Sequence, residues 1–344
     1  MAARRPVSIQ DIARAAGVSH ATVSRALRDS PLISAEVRQT LQRLAIEMGY
    51  TPNAVAQSLK GRRSNTIGLV VTSISDPFYG RVARGVDEIA RQAGVDVFLG
   101  VSYNTAEQEL AVIESFHRRR VDGVITASSR LTDAHVGQLR RIAAPVVLIN
   151  RQSEGDLDEF RSVEVDNYAG ARQAVAHLLG LGHTAIAYLA ATNRPRSNQQ
   201  RGQGYRDALQ AAGIAAQDGW VQAAPPERRS SADDVADGRS LMLAALQAGV
   251  TAAFCFNDMI AVGALLACRQ RGISVPAQVS IVGFDDVELA QYVTPPLTTI
   301  HQPKLRLGQL AMELLLRLMD DQPAEDQCAP VDLVVRGSTA PPRT

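Results

Sequence analysis

A chain of 344 residues, 46% of them hydrophobic, can bury sizeable cores in two or three globular units, and none of its apolar runs approaches the roughly 18 residues a membrane span requires. Cys255, Cys268 and Cys328 are too few and too widely spaced for a disulfide framework or a zinc site, and all three are expected in the core. The net charge of +1 hides an asymmetry: residues 1–63 hold ten Lys and Arg against four Asp and Glu, a surplus of six, which leaves −5 for the remainder. Such a split suggests that one small end meets phosphate while the larger part does something else. Arg4 and Arg5 are followed by no apolar run, so no secretory signal is read and a cytoplasmic location is expected.

In chain order, Ser8 can cap a first helix, Ile9 to Ala16, with Ile9, Ile12, Ala13 and Ala16 on one face and Gly17 ending it. Ser19 can cap a second, His20 to Leu27, with Val23 and Leu27 facing inward beside Val18. Two short helices joined by a glycine-containing turn form the helix-turn-helix arrangement, whose second helix enters the major groove. A third helix starts after Ser34, carries Val37, Leu41, Leu44 and Met48 on one face, and ends at Gly49. Tyr50, Thr51 and Pro52 then break the chain. Asn53 can cap a short helix, Ala54 to Leu59, closed by Lys60, Gly61, Arg62 and Arg63. Helices below about 12 residues are marginal in water, so this one needs a partner, and in a pair Val55 and Leu59 would meet one turn apart. An apolar Leu59 beside Lys60 also suits a minor-groove wedge.

The run Val18-Ser19-His20-Ala21-Thr22-Val23-Ser24-Arg25-Ala26-Leu27, followed by Tyr50-Thr51-Pro52-Asn53-Ala54-Val55-Ala56-Gln57-Ser58-Leu59, resembles the head and hinge of the lac repressor (LacI/GalR) family. The resemblance implies that His20, Ala21 and Arg25 face bases, that Ser8, Thr22 and Ser24 hold phosphates, and that Leu59 wedges the centre of an operator. Ser19, Asn53, Ala54 and Lys60 complete the expected DNA-binding set. Chemistry favours Arg25 as the specificity residue, since its guanidinium can donate a bidentate pair to guanine, whereas Ala21 offers a methyl group where family members often carry a larger polar side chain.

From Thr66 onward, short β-rich runs alternate with helical stretches. Strands are expected at Thr66 to Val71, Val95 to Val101, Gly123 to Thr126, Val146 to Asn150, Ser162 to Val165, Ala185 to Leu189, Ala252 to Phe256 and Val279 to Gly283. Helices are expected at Arg81 to Gln92, Glu107 to Arg119, Tyr168 to Leu179, Gln203 to Ala211 and Ala261 to Arg271. One sheet holding all these strands would be very wide. The expected fold is therefore an all-α helix-turn-helix head plus an α/β body of two lobes, each a parallel sheet, like periplasmic binding proteins. The chain would cross between lobes at Ser162 to Asp166 and again near Pro295 to Gln302. The divisions are a head at 1–50, a hinge and linker at 51–63 and a body at 64–344. Lobe one takes about 64–164 and 302–327; lobe two takes about 165–301 and 328–344.

Ligands of open α/β sheets bind beyond the carboxyl ends of the strands. Those ends present Ser75 to Tyr79, Asn150-Arg151, Asn257-Asp258 and Phe284-Asp285-Asp286, with Arg201 near a helix start. Asp, Asn and Arg beside an aromatic ring suit a sugar, because planar polar forks satisfy paired hydroxyls while the ring covers C–H groups. Asp76 and Asn257 read equally well as helix caps, and Asp258 and Asp286 as structural. The resemblance extends through Asp166-Asn167, Leu181-Gly182-His183, Val279 to Asp286 and Pro295 to Ile300, and implies an effector cleft lined by Asp76, Phe78, Asn150, Arg151, Arg201, Asn257 and Asp285. His183 lacks a neighbouring nucleophile motif and reads as core or cap. No leucine heptad precedes Thr344, from which a homodimer is expected. The expected partners are double-stranded operator DNA, a small effector, with a sugar favoured, and a second copy. No membrane, metal, cofactor or catalytic residue is called for. An α/β enzyme or a cytoplasmic sugar-binding protein without a DNA role are the competing readings. Against the enzyme stands the absence of a G-x-G-x-x-G or phosphate-loop run.

Overall fold

The computed structural model describes residues 7–50, 63–142, 144–152, 159–224 and 233–343. The chain divides into two compact units, Met1–Ser64 and Asn65–Thr344. The expected hinge helix, with Asn53, Ala54, Leu59 and Lys60, lies outside the described residues.

Among the described residues of the first unit are three helices: α1 (Ile9–Ala16), α2 (His20–Ala26) and α3 (Ala35–Glu47). Ser8 and Asp11 form a capping box, in which the Asp11 amide donates to Ser8 Oγ at 3.3 Å and the Ser8 amide to Asp11 Oδ2 at 2.9 Å. Gly17, at φ 65°, turns the chain out of α1 in the left-handed conformation that glycine adopts without strain. Ile12, Ala13, Val23, Ala26, Leu41 and Ala45 are the buried centre, with Val18, Leu27, Leu44 and Met48 packed around it. Val37 departs from expectation. It shares a face with Leu41, but in the first turn of α3 it projects past the edge of this small core and is 39% exposed.

In the second unit, two six-stranded sheets form two lobes. Lobe one is built from β1 (Thr66–Val71), α4 (Pro77–Gln92), β2 (Asp96–Val101), α5 (Ala106–Arg118), β3 (Gly123–Ala127), α6 (Asp133–Leu139), β4 (Val146–Ile149) and β5 (Arg161–Val165). Lobe two follows with α7 (Asn167–Gly180), β6 (Ile186–Ala190), α8 (Pro195–Ala211), β7 (Val221–Ala223), α9 (Asp234–Gln247), β8 (Ala252–Cys255), α10 (Asp258–Gln270), β9 (Ser280–Asp285), α11 (Leu289–Tyr292) and β10 (Thr298–His301). The chain then returns through α12 (Lys304–Met319) and β11 (Gln327–Ala329) to lobe one, and ends on β12 (Asp332–Val334) in lobe two.

The sheet orders are β11-β5-β4-β3-β1-β2, all parallel, and β12-β10-β9-β8-β6-β7, parallel except for β12 against β10. The crossings between lobes follow from these orders. The expected strand at Ser162 to Val165 pairs with β4 and the chain leaves lobe one directly after it, whereas in the second expected crossing Thr298 to His301 is itself a strand paired with β9. The last crossing falls after Ala329, two residues beyond the expected 327/328 boundary, because Cys328 and Ala329 still pair with β5. Cys328 is also the exception among the cysteines: it is exposed on this edge strand, while Cys255 and Cys268 are buried.

Helix α12 closes lobe one by packing on α4. The approach is so tight that a Cβ on Gly85 would stand 2.0 Å from the Leu305 carbonyl, and one on Gly308 2.1 Å from that of Val82. His183 is structural: Nδ1 lies 2.9 Å from Thr251 Oγ1, and Nε2 lies 3.0 Å from Ser280 Oγ and 2.9 Å from the Ala340 carbonyl, tying the C-terminal segment to the second sheet.

Candidate DNA-reading helix and ligand cleft

On α2, Ser19 caps the helix by accepting from the Thr22 amide at 3.1 Å, and its hydroxyl lies 2.8 Å from that of Thr22. His20, Ala21 and Arg25 are exposed together with Ser19, so the residues expected to read bases share an open surface. Ser24 does not join them. It is 8% exposed, and Arg28 donates through NH2 to its Oγ at 3.1 Å and through Nε to its carbonyl at 3.0 Å. Arg28, one turn beyond Arg25, therefore adds a cation to this end of the helix that sequence reading passed over. The Ser8 hydroxyl, expected on phosphate, donates to Asp11 Oδ2 at 2.6 Å within the capping box.

In the second unit the carboxyl ends of both sheets meet at a cavity of about 30 Å³, the space of roughly one water molecule. Lobe one contributes Asp76, Phe78 and Tyr79 from the start of α4, Ser128 after β3, and Asn150 and Gln152 after β4. Lobe two contributes Arg194, Ser197 and Arg201 around the start of α8, Phe256 after β8, Asp285 at the end of β9 and Gln302 after β10. Five of the seven expected effector residues thus converge here: Asp76, Phe78, Asn150, Arg201 and Asp285. Arg151 does not, because it points along β5, with Nε 3.4 Å from Glu164 Oε1. Asn257 is one residue removed from the lining. It caps α10, accepting from the Ile260 amide at 2.8 Å, and donates to Asp234 Oδ2 at 2.7 Å.

Helix starts explain much of this placement. Asp76 caps α4 through the Phe78 amide at 3.0 Å, and Arg194 precedes Pro195 at the first position of α8. Both helices begin several residues before their expected positions, so their first turns reach the strand ends. Pro77 and Pro195 supply the missing signal, since proline suits the first helical position. Ser128, Asn150 and Asp285 take φ values of 56°, 47° and 113°, a region non-glycine residues avoid. Each costs on the order of 1–3 kcal/mol, and such strain gathers where side chains must be aimed into a site.

The charges are matched within the cleft. Arg201 is clamped between the rings of Phe284 and Phe256, its guanidinium carbon 3.6 and 4.4 Å from their centroids. Its Nε donates to Asn167 Oδ1 at 2.9 Å, NH1 donates to the Phe256 carbonyl, and NH2 lies 3.9 Å from Asp285 Oδ1. Burial lowers the Arg201 pKa to about 10, against the pull of Asp285. Asp285 accepts from Gln302 Nε2 at 2.5 Å; burial raises its carboxyl to about 6, although Arg201 opposes the shift. Asp258 and Asp286 have structural duties, as expected. Asp258 accepts from Thr299 Oγ1 and the Val287 amide, and Asp286 from Arg336. Sequence reading missed Ser128, Gln152, Arg194, Ser197 and Gln302, whose polar atoms join the lining. Gln152 Nε2 donates to Ser197 Oγ across the lobes at 2.9 Å.

A basic three-helix head with an open recognition face, joined in sequence to a two-lobed α/β body with a polar cleft, defines a DNA-binding regulator of the ligand-sensing class. The model for "bacterial regulatory proteins, lacI family" matches residues 8–53, and that for a periplasmic binding protein-like domain matches residues 175–339. The HTH-type transcriptional regulator GalS of Salmonella typhimurium is 39% identical over 313 residues, covering 90% of this chain and 89% of the relative. A crystal structure of the lac repressor dimer bound to operator and an anti-inducer superposes with a TM-score of 0.85 at 30% identity, covering 98% of this chain and all of that one. A complex of the transcriptional regulator CelR with cellobiose matches with a TM-score of 0.72 at 28% identity, covering 97% and 100%. The chain belongs to the lacI family and is a sequence-specific DNA-binding transcription regulator, not an enzyme. No helix among its described residues is long and apolar enough to cross a membrane.

Proposed function

We propose that the protein is a cytoplasmic repressor that binds a palindromic operator as a homodimer and is controlled by a neutral sugar held in the cleft between its lobes. The observation that carries this reading is the convergence of Asp76, Phe78, Asn150, Arg201 and Asp285, from both lobes, on one cavity. Carboxylates and amides accept and donate to ring hydroxyls, and Phe78 and Phe256 offer apolar faces. Both guanidiniums in the lining already have carboxylate partners, which favours a neutral ligand over a phosphate or sugar acid. The matched complexes with operator and with cellobiose support the same reading.

In the head, His20, Ala21 and Arg25 read base edges, with Ser8, Ser19, Thr22 and Arg28 toward phosphates. The expected hinge residues Asn53 to Lys60, which lie outside the described residues, are assigned to the operator centre in this reading, with Leu59 as the expected wedge. Ligand changes the relation of the lobes, and this biases the hinge pair; the sugar releases or recruits operator according to which arrangement it binds more tightly. The test is operator affinity titrated against D-ribose, D-xylulose, D-galactose and cellobiose, with thermal shift as the parallel readout. A panel of sugars that moves neither operator affinity nor melting temperature would overturn the sensing half of the reading.

A further inference from the structure

Arg194 lines the cleft, and its guanidinium occupies a carboxylate and a ring face that line it too, those of Asp76 and Phe256. It belongs to lobe two and is 8% exposed. NH1 contacts Asp234 Oδ2 at 3.1 Å, and NH2 reaches across to Asp76 Oδ2 of lobe one at 3.3 Å. Its guanidinium also lies against the ring of Phe256, 5.6 Å from the centroid. The residue before it is held to lobe one as well, because the Asn193 carbonyl accepts from Asn104 Nδ2 and from Arg130 NH1, both at 2.9 Å. A cavity of about 30 Å³ has no room for a sugar ring, so something in the lining has to move. Arg201 is stacked between two rings and bonded to Asn167, whereas Arg194 precedes the first turn of α8 and is held chiefly by its two carboxylate partners, groups that a hydroxylated ligand can also satisfy.

Given that the effector enters this cleft, as the reading above has it, we propose that the Arg194 guanidinium is a resident stand-in for that effector. It closes the lobes by bridging Asp76 and Asp234 and by covering Phe256, and a neutral polyhydroxyl ligand binds by displacing it and taking over the same acceptors and ring face. Arg194 then sets both the affinity threshold and the neutral character of the ligand. A hydroxylated ring can satisfy the two carboxylates and cover the phenyl group, whereas an anionic ligand would meet Asp76 and Asp234 with their cation removed.

Two measurements on the full-length protein and Arg194→Gln decide this. In ligand-free protein, hydrogen exchange of the lobe-one segments 102–105 and 128–131, which face the clasp but do not contain the substitution, should be faster in Arg194→Gln; equal exchange overturns the bridge. For the panel sugar giving the largest thermal shift, Arg194→Gln should bind at least about tenfold more tightly, since a competitor that keeps the competent state rare has been removed. Equal or weaker binding overturns the stand-in. Because Arg194→Gln leaves Asp76 and Asp234 buried without their cation, Arg194→Gln/Asp234→Asn is measured beside it in the exchange experiment alone, where equally faster exchange is expected and exchange equal to wild type overturns the bridge. If no sugar binds either protein, the sugar reading falls, and the exchange result still decides whether Arg194 closes the lobes.

Discussion

The Asp285 carboxylate lies buried beside Arg201 and Gln302, where folding and recognition pull in opposite directions. Its folded pKa of about 6 lies above the ordinary value of about 3.9, so the folded state is fully stable below that value and loses stability as pH rises through 6 and the buried acid ionises. Asp285→Asn is therefore expected to melt higher than wild type at pH 7.5 and to converge with it by pH 4, while binding the sugar more weakly. Paired thermal melts across that range check it. His183 acts in the opposite sense: burial lowers its pKa, so its contribution is present above about 6.5 and lost as pH falls below. The difference between variant and wild type isolates Asp285 from this background. In the head, Arg25→Ala should relax base preference at one symmetric position of each half-site at a cost of about 1–3 kcal/mol per contact. Binding to an array of operator variants checks this, and a uniform loss on all sequences would count against it.

Helices α4 and α12 show how an element is positioned by a missing side chain. Gly80 and Gly308 both sit inside helices, but a Cβ on Gly80 would meet nothing within 4 Å, whereas one on Gly308 would strike the Val82 carbonyl. Alanine gains about 0.8–1 kcal/mol of helix propensity over glycine, and overpacking costs about 1–3 kcal/mol. Gly80→Ala should thus raise the stability of the body and Gly308→Ala lower it, as urea unfolding would report. The same elements mark where local pattern was readable. Helical periodicity located α4, α5, α7 and α10 to within a few residues at most of their ends. The beginnings of α4 and α10 were harder to place because polar first turns around Asp76 and Asn257 break the apolar period. Strands β7, β11 and β12 have three residues each, too short to carry an alternation.

For the whole molecule, the surplus of positive charge in residues 1–63 concentrates phosphate attraction at one end of the chain, whereas operator specificity in the proposed mechanism depends on the hinge pair as well. Leu59→Ala should then abolish most specific operator binding and bending while leaving the salt-dependent non-specific binding nearly intact. Salt titrations on operator and random duplexes, with a bending assay, check both parts; unchanged bending would remove the wedge. The lobes impose a further coupling. The chain passes between the two sheets three times, after β5, after β10 and after β11, so a change of lobe angle must be absorbed in three strands of backbone together. A two-position hinge is better suited to this arrangement than a gradual deformation.

The amino-acid sequence by itself determined the head, the two α/β lobes, the family and five of the cleft residues, because helix caps, strand runs and a contiguous recognition motif are local patterns carried by neighbouring residues. Tertiary structure alone decided the rest. It turned Arg151 toward Glu164, buried Ser24 under Arg28, left Cys328 exposed on an edge strand, and brought Arg194 to Asp76 over 118 positions of chain. An ion pair between side chains so far apart leaves no periodicity or spacing behind, since its geometry exists only once both sheets have folded and their carboxyl ends face one another.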